Sequence, residues 1–142
     1  MNRIVVALAA VSLTAALIGP ANGQEPTAPK GLPFSSARRA GNTLYVSGQL
    51  PRTPEGTEVR ASVDAETRQV MDNIGRILKE QGYSFDDVVS ATVYLASLQD
   101  YKEMNQAYAS YFPNAFPTRA CVGGVEIVFG YRVEISCVAY KE

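Results

Sequence analysis

The chain contains no histidine. That absence removes Ser-His-Asp and Cys-His nucleophilic catalysis, and with them every metal site built on imidazole. Cysteine is scarce as well: Cys121 and Cys137 are the only two, too few for a four-thiolate zinc site. No basic excess is present either. Thirteen Lys and Arg stand against fourteen Asp and Glu, a formal net charge of −1, and Arg38-Arg39 is the only adjacent basic pair. Such a balance leaves no electrostatic footprint for nucleic acid or anionic lipid. Any chemistry must come from carboxylates, arginine, thiol, hydroxyls and backbone groups.

The one long apolar run lies at the start. After the basic Asn2-Arg3, residues 4–18 are apolar except for Ser12 and Thr14, and Ala21-Asn22-Gly23 supplies a small-x-small pattern after Pro20. This predicts a signal peptide over 1–23, cleaved near Gly23-Gln24, and a periplasmic or secreted protein. The run is short for a membrane span, and it has no cysteine to carry a lipid; an uncleaved anchor is the alternative. The mature chain would hold 119 residues with 12 basic and 14 acidic side chains, one ordinary domain with a single core. Residues 24–32, with Pro26 and Pro29, read as a flexible tail, and 33–142 as the domain.

Phe34 to Ala40 and Thr43 to Leu50 flank Gly41-Asn42, a two-residue hairpin signal. Gly48 interrupts the second arm and leaves room for something to approach the backbone. Val70, Met71, Ile74, Ile77 and Leu78 form the stripe of an amphipathic helix, capped by Ser62 or Asp64 and ended at Gly82. Val88 to Leu95 alternates as a strand. Asp100 and Glu103 suggest a capping box for a second helix. Tyr101, Met104, Tyr108, Tyr111 and Phe112 line that helix as core until Pro113, with Asn105 beside the stripe. Thr118 to Glu126 and Tyr131 to Tyr140 complete the strands. The order predicts an α/β sandwich with both helices on one side of a sheet, whose other face is left for further subunits to cover.

The chemistry-bearing stretch is Pro117 to Ile135. Alternation sends Arg119 and Cys121 to one face, and it sets Glu134 apart from Val133 and Ile135. The bland account is a cross-strand ion pair between Arg119 and Glu134. The functional one has Arg119 holding a carboxylate-bearing small molecule while Glu134 manages a water. If the last two strands paired as a hairpin, Cys121 and Cys137 would lie opposite each other; spacing alone leaves disulfide and free thiols both open.

LYVSGQLP (44–51), VSATVYLASLQDYKEMNQAYASYF (89–112), FPTRACV (116–122) and RVEI (132–135) together resemble the RidA/YjgF family of imine/enamine deaminases. The likeness runs from about Pro33 to Tyr140. It implies a chorismate-mutase-like fold, a mixed sheet, and a homotrimer with clefts between subunits. It also implies that the last strand inserts between the first core strand and the one between the helices, so that both thiols stay free. The activity implied is cofactor-free and metal-free hydrolysis of small 2-imino acids, such as 2-iminobutanoate and 2-iminopropanoate, to 2-oxo acids and ammonia. Carried onto this chain, Arg119 grips the carboxylate and Glu134 handles the water. Phe34, Ser47, Gly48, Asn105 and Cys121 border the substrate. The chain differs from the family pattern at Leu32-Pro33-Phe34-Ser35, where Phe34 replaces a tyrosine, and at Ile127-Val128, where Leu-Pro is usual. Phe34 is the feature favouring an alternative, a non-catalytic trimer that binds small carboxylates in the same cleft.

Overall fold

A computed structural model of the protein describes residues 31–142. The expected leader and most of the expected tail, residues 1–30, lie outside the described residues. Five strands and two helices follow: β1 (Ala37–Ala40), β2 (Thr43–Gln49), α1 (Val63–Glu80), β3 (Val88–Leu95), α2 (Tyr101–Ala109), β4 (Thr118–Gly123) and β5 (Val133–Tyr140). Each strand is shorter than or equal to its expected span, because pairing stops where the partner turns away.

The helices are set by their ends and stripes. Ser62 caps α1, its hydroxyl accepting the Ala65 N–H at 3.1 Å, and Gly82 follows the helix at φ +79°, a conformation that disfavours any side chain. Val70, Met71, Ile74 and Leu78 are fully buried against the sheet. Burial of each such side chain contributes about 1.5–3 kcal/mol. The start of α2 differs from the expected capping box. A 3₁₀ turn, Leu98–Asp100, precedes it, Asp100 makes no side-chain cap, and Ser97 accepts from the Gln99 N–H instead. Glu103 reaches across to the Asp64 N–H at 3.3 Å, tying α2 to α1.

The sheet order is β1-β2-β5-β3-β4, with β3 and β4 parallel and all other neighbours antiparallel. The last strand therefore does insert between β2 and β3. Val133, Ile135, Cys137 and Ala139 face the helices with Ala91, Val93 and Leu95. The opposite face, carrying Tyr45, Thr92, Tyr94, Val122, Glu134, Ser136 and Val138, has no second layer among the described residues. Tyr45 is 52% exposed there.

Between β4 and β5, Phe129 adopts φ +62°, strained for a residue with a side chain. Arg60 braces this loop by donating to the Phe129 carbonyl at 2.8 Å and the Gly130 carbonyl at 3.3 Å. Ile127 and Val128 lie in this loop.

The strand order settles the cysteines. Cys121 lies opposite Val93 and Cys137 opposite Ala91, on either side of β3. Two strand spacings come to about 9–10 Å, beyond the roughly 7 Å that a disulfide tolerates between Cα atoms. Both thiols are free. Burial pushes the Cys137 thiol up to about 12 and raises that of Cys121, the latter opposed by nearby Arg119. Thiol titration under denaturing, non-reducing conditions should find both cysteines reactive, with Cys121 reacting ahead of Cys137 in the native protein. Finding neither reactive after denaturation would contradict this sheet order.

Candidate functional site

Arg119 sits on the edge strand β4 opposite Ala91, a core residue, so its side chain points to the helix side of the sheet. There α2 receives it. Arg119 Nη2 donates to Asn105 Oδ1 at 2.7 Å and reaches the Tyr101 hydroxyl at 3.5 Å. Its guanidinium carbon lies 4.8 Å from the centre of the Tyr108 ring and 5.9 Å from that of Tyr101. These three residues share one face of α2, being four and three positions apart. The cation is thus oriented by a neutral amide and two aromatic faces, and no carboxylate pairs with it among the described residues. Asn105, Tyr108, Ala109, Phe116, Pro117 and Arg119 line a cleft of about 390 Å³. The Tyr108 hydroxyl is buried without a hydrogen-bond partner among the described residues, and burial pushes its pKa up to about 12.

The aromatic stripe of α2 therefore has two roles. Tyr108 and Phe112 are buried as expected of core. Tyr101, also expected in the core, is exposed and belongs to the arginine's surroundings. Asn105 is not merely an amide at the stripe's edge; it fixes the guanidinium. Cys121, two residues beyond Arg119, lies on the same face and packs against the core.

Glu134 is elsewhere. It faces Tyr94 across β5 and β3, on the open side of the sheet. Along β3, Tyr94 is three residues from Ala91, so the two charged groups are offset by about 10 Å as well as by the sheet itself. They do not pair. The Glu134 carboxylate lies over Gly48, where a Cβ would collide with Oε1. Gly48 sits in a bulge where β2 and β5 slip register between Val46 and Gln49. Burial alone raises the pKa of Glu134 above the usual carboxylate range.

Ser47 does not offer its hydroxyl to this face. It donates to the Ser35 carbonyl at 2.6 Å, while its N–H bonds the Ser36 carbonyl at 3.0 Å. That tie holds the segment before β1 and places Phe34, 53% exposed, beside Gly48 in a groove of about 260 Å³ that also includes Asn73 and Arg76. Glu66 escaped the sequence reading. Buried on α1, it accepts the Arg132 N–H at 2.8 Å and so pins the chain two residues before Glu134. An acidic residue inside the α1 stripe was the available signal.

The expected site residues thus fall into two half-sites, with Arg119, Asn105 and Cys121 on the helix side at β4. Glu134 and Gly48, with Phe34 held nearby through Ser47, form the other.

The sequence model of the family described as endoribonuclease L-PSP matches residues 24–141. The chain belongs to that family, RidA/YjgF. A RutC family protein from Pyrococcus horikoshii is 42% identical over 117 residues, covering 81% of this chain and 93% of the relative. The bovine protein named 2-iminobutanoate/2-iminopropanoate deaminase is 42% identical over 110 residues, covering 77% and 80%. In the crystal structure of the YjgF gene product of E. coli, the fold matches with a TM-score of 0.76 at 31% identity, covering 84% of this chain and 95% of that one. In this RidA/YjgF chain Arg119 and Glu134 thus stand on opposite faces of one sheet.

Because the atom that a Cβ at Gly48 would meet is the end of a flexible side chain, the carboxylate rather than the backbone should yield. Gly48→Ala should keep the unfolding free energy within about 1 kcal/mol of wild type while moving Glu134. Chemical denaturation checks the first half, and the pH titration of Glu134 by NMR should show a changed pKa. An unchanged Glu134 titration would contradict the close approach.

Proposed function

We propose that the protein hydrolyses small 2-imino acids to 2-oxo acids and ammonia, at sites assembled between copies of the chain. The observation that carries this is Arg119: a guanidinium held by Asn105 and two tyrosines, with no carboxylate partner among the described residues, at the wall of a cleft. Supporting it is Glu134, whose carboxylate stands on a sheet face that no layer covers among the described residues. A second copy laid on that face would bring the two half-sites together, and a cyclic trimer would close the arrangement. The bovine relative's name supports the choice of substrate.

In this account Arg119 donates two parallel hydrogen bonds to the substrate carboxylate, and its fixed fork sets the orientation of the C=N bond. The partner copy's carboxylate at position 134 accepts a proton from a water as that water adds to the imine carbon. That proton passes to nitrogen, giving a carbinolamine; its hydroxyl proton then moves to nitrogen as the C–N bond breaks and C=O forms, so that ammonia leaves and the 2-oxo acid remains. Orientation and one activated water suffice, since imines also hydrolyse unaided in water. The groups named need no metal, and no cluster of three or more His, Cys, Asp or Glu suited to a metal occurs among the described residues. The acidic balance of the chain gives no support to RNA as a substrate. The apolar run at 4–18 supports export, so that an amino-acid-processing enzyme outside the cytoplasm would supply the imine. Phe34, which lacks a hydroxyl, favours a second reading in which the trimer only binds carboxylates.

Imine released by a threonine dehydratase and trapped with semicarbazide gives the assay. Arg119→Ala should raise KM and lower kcat/KM by about ten- to a hundredfold, the worth of charge-assisted hydrogen bonds. Glu134→Gln should lower kcat by roughly 10²–10⁴. Because Glu134 must be ionised to accept a proton and its pKa is raised, log(kcat/KM) should rise with pH along an acid limb above the ordinary carboxylate value. That limb should vanish in Glu134→Gln. Carboxylate binding with no acceleration in wild type would establish the binding protein instead.

A further inference from the structure

Three buried polar side chains lie on α1: Glu66, Thr67 and Asn73. Thr67 is absorbed by its own helix, donating to the Val63 carbonyl at 2.7 Å. The other two reach out of the helix. Glu66 Oε2 accepts the Arg132 N–H at 2.8 Å, one residue before β5 begins. The Arg132 carbonyl accepts the Ala96 N–H at 2.9 Å, so the entry to β5 is held on both sides. Asn73 Nδ2 donates to the Leu50 carbonyl at 3.1 Å and the Arg52 carbonyl at 2.8 Å, just past the end of β2. Gln69, one turn earlier, donates to Asn73 Oδ1 at 3.1 Å and so fixes which way that amide faces. The two anchors stand seven residues apart, about two turns or 10 Å along the helix. The exit of β2 and the entry of β5 are neighbours in the sheet, with Gln49 opposite Ile135. Beside them the register slips, and there the Glu134 carboxylate lies over Gly48. A bulge interrupts the ladder, so strand pairing is weakest where the carboxylate stands.

We propose that Glu66 and Asn73 are positioning residues for the reaction: from one rigid helix they tether β5 and β2, and thereby set where the Glu134 carboxylate rests over Gly48. This rests on the deaminase reading for its chemistry and adds two residues that touch neither substrate nor water. Each acts through a defined atom. Glu66 serves as an acceptor and Asn73 as a donor, both to backbone, and both tethers are buried within one chain. A neutral acceptor at position 66 would therefore do as well as a carboxylate, whereas an apolar side chain of the same length would leave the Arg132 N–H without its partner.

The semicarbazide assay on the full chain compares Glu66→Gln, Glu66→Met and Asn73→Leu, each well below its own melting temperature. The two Glu66 variants are both uncharged and similar in length, and only glutamine retains an acceptor. Glu66→Met and Asn73→Leu should lower kcat by about tenfold or more, the scale on which a small misplacement acts. KM should stay within about twofold, because Arg119 still holds the substrate. Glu66→Gln should remain within about threefold of wild type in both constants. A methionine variant as fast as the glutamine one, or a KM that rises in step with the fall in kcat, overturns the inference and leaves the deaminase reading standing. NMR titration of Glu134 separates the converse case, since it needs no turnover. Burial alone raises that pKa, so it should fall toward the ordinary carboxylate value in Glu66→Met relative to Glu66→Gln. That fall in a protein that accelerates no imine would uphold the tethers and remove the deaminase reading alone. An identical Glu134 titration in the two variants overturns the inference.

Discussion

The insertion of β5 between β2 and β3 governs everything else in this chain. A strand in the middle of a sheet must satisfy both faces with alternate residues. Val133, Ile135, Cys137 and Ala139 fill the core beneath the helices, and Glu134, Ser136 and Val138 are thereby committed to the other side. The same alternation on β4 commits Arg119 to the helix side, because it stands opposite Ala91. One-residue slippage of β5 would move Glu134 into the core and its core residues into solvent, and slippage of β4 would carry Arg119 to the other face. The separation of the two charged groups is thus as strongly determined as the core itself.

That separation gives the uncovered sheet face its significance. Among the described residues a face bearing Tyr45, Tyr94, Val122 and Val138 leaves apolar area uncovered, and a further layer would remove it. The half-sites require the same thing for a different reason. Among the described residues Arg119 is oriented by Asn105 without an ion partner, and Glu134 is partly buried without a cation to compensate it. An association that covers the face would satisfy the packing and complete the chemistry in one step.

Much of this was legible in the residues because period and punctuation agreed. The stripe of α1, the cap at Ser62 and the glycine at 82 all pointed the same way, and Gly48 marked the close approach that Glu134 makes. The strand order was not legible from pattern alone, since a hairpin of the last two strands satisfies the same alternation; only the resemblance supplied it. Other misses are tertiary. Asp100 and Glu103 have the spacing of a capping box, but Glu103 is drawn to the α1 N-terminus. Ser47 looked available to a ligand until the segment before β1 claimed its hydroxyl. Tyr101 follows the apolar stripe yet flanks the arginine, because α2 reaches beyond the core at the β4 edge. In each case a partner distant in sequence decided the outcome.

Mixing two crippled chains tests most directly whether the halves of the site come from different copies. Arg119→Ala and Glu134→Gln chains, each strongly impaired alone, would be co-folded or co-expressed and assayed as one population at a substrate concentration where neither reaches about a tenth of the wild-type rate. If the site is shared, roughly a quarter of the interfaces in a random cyclic assembly join an intact arginine to an intact glutamate, and deaminase activity returns in proportion. Activity that stays at the level of the separate variants, in assemblies verified to contain both chains, would contradict a site built between protomers.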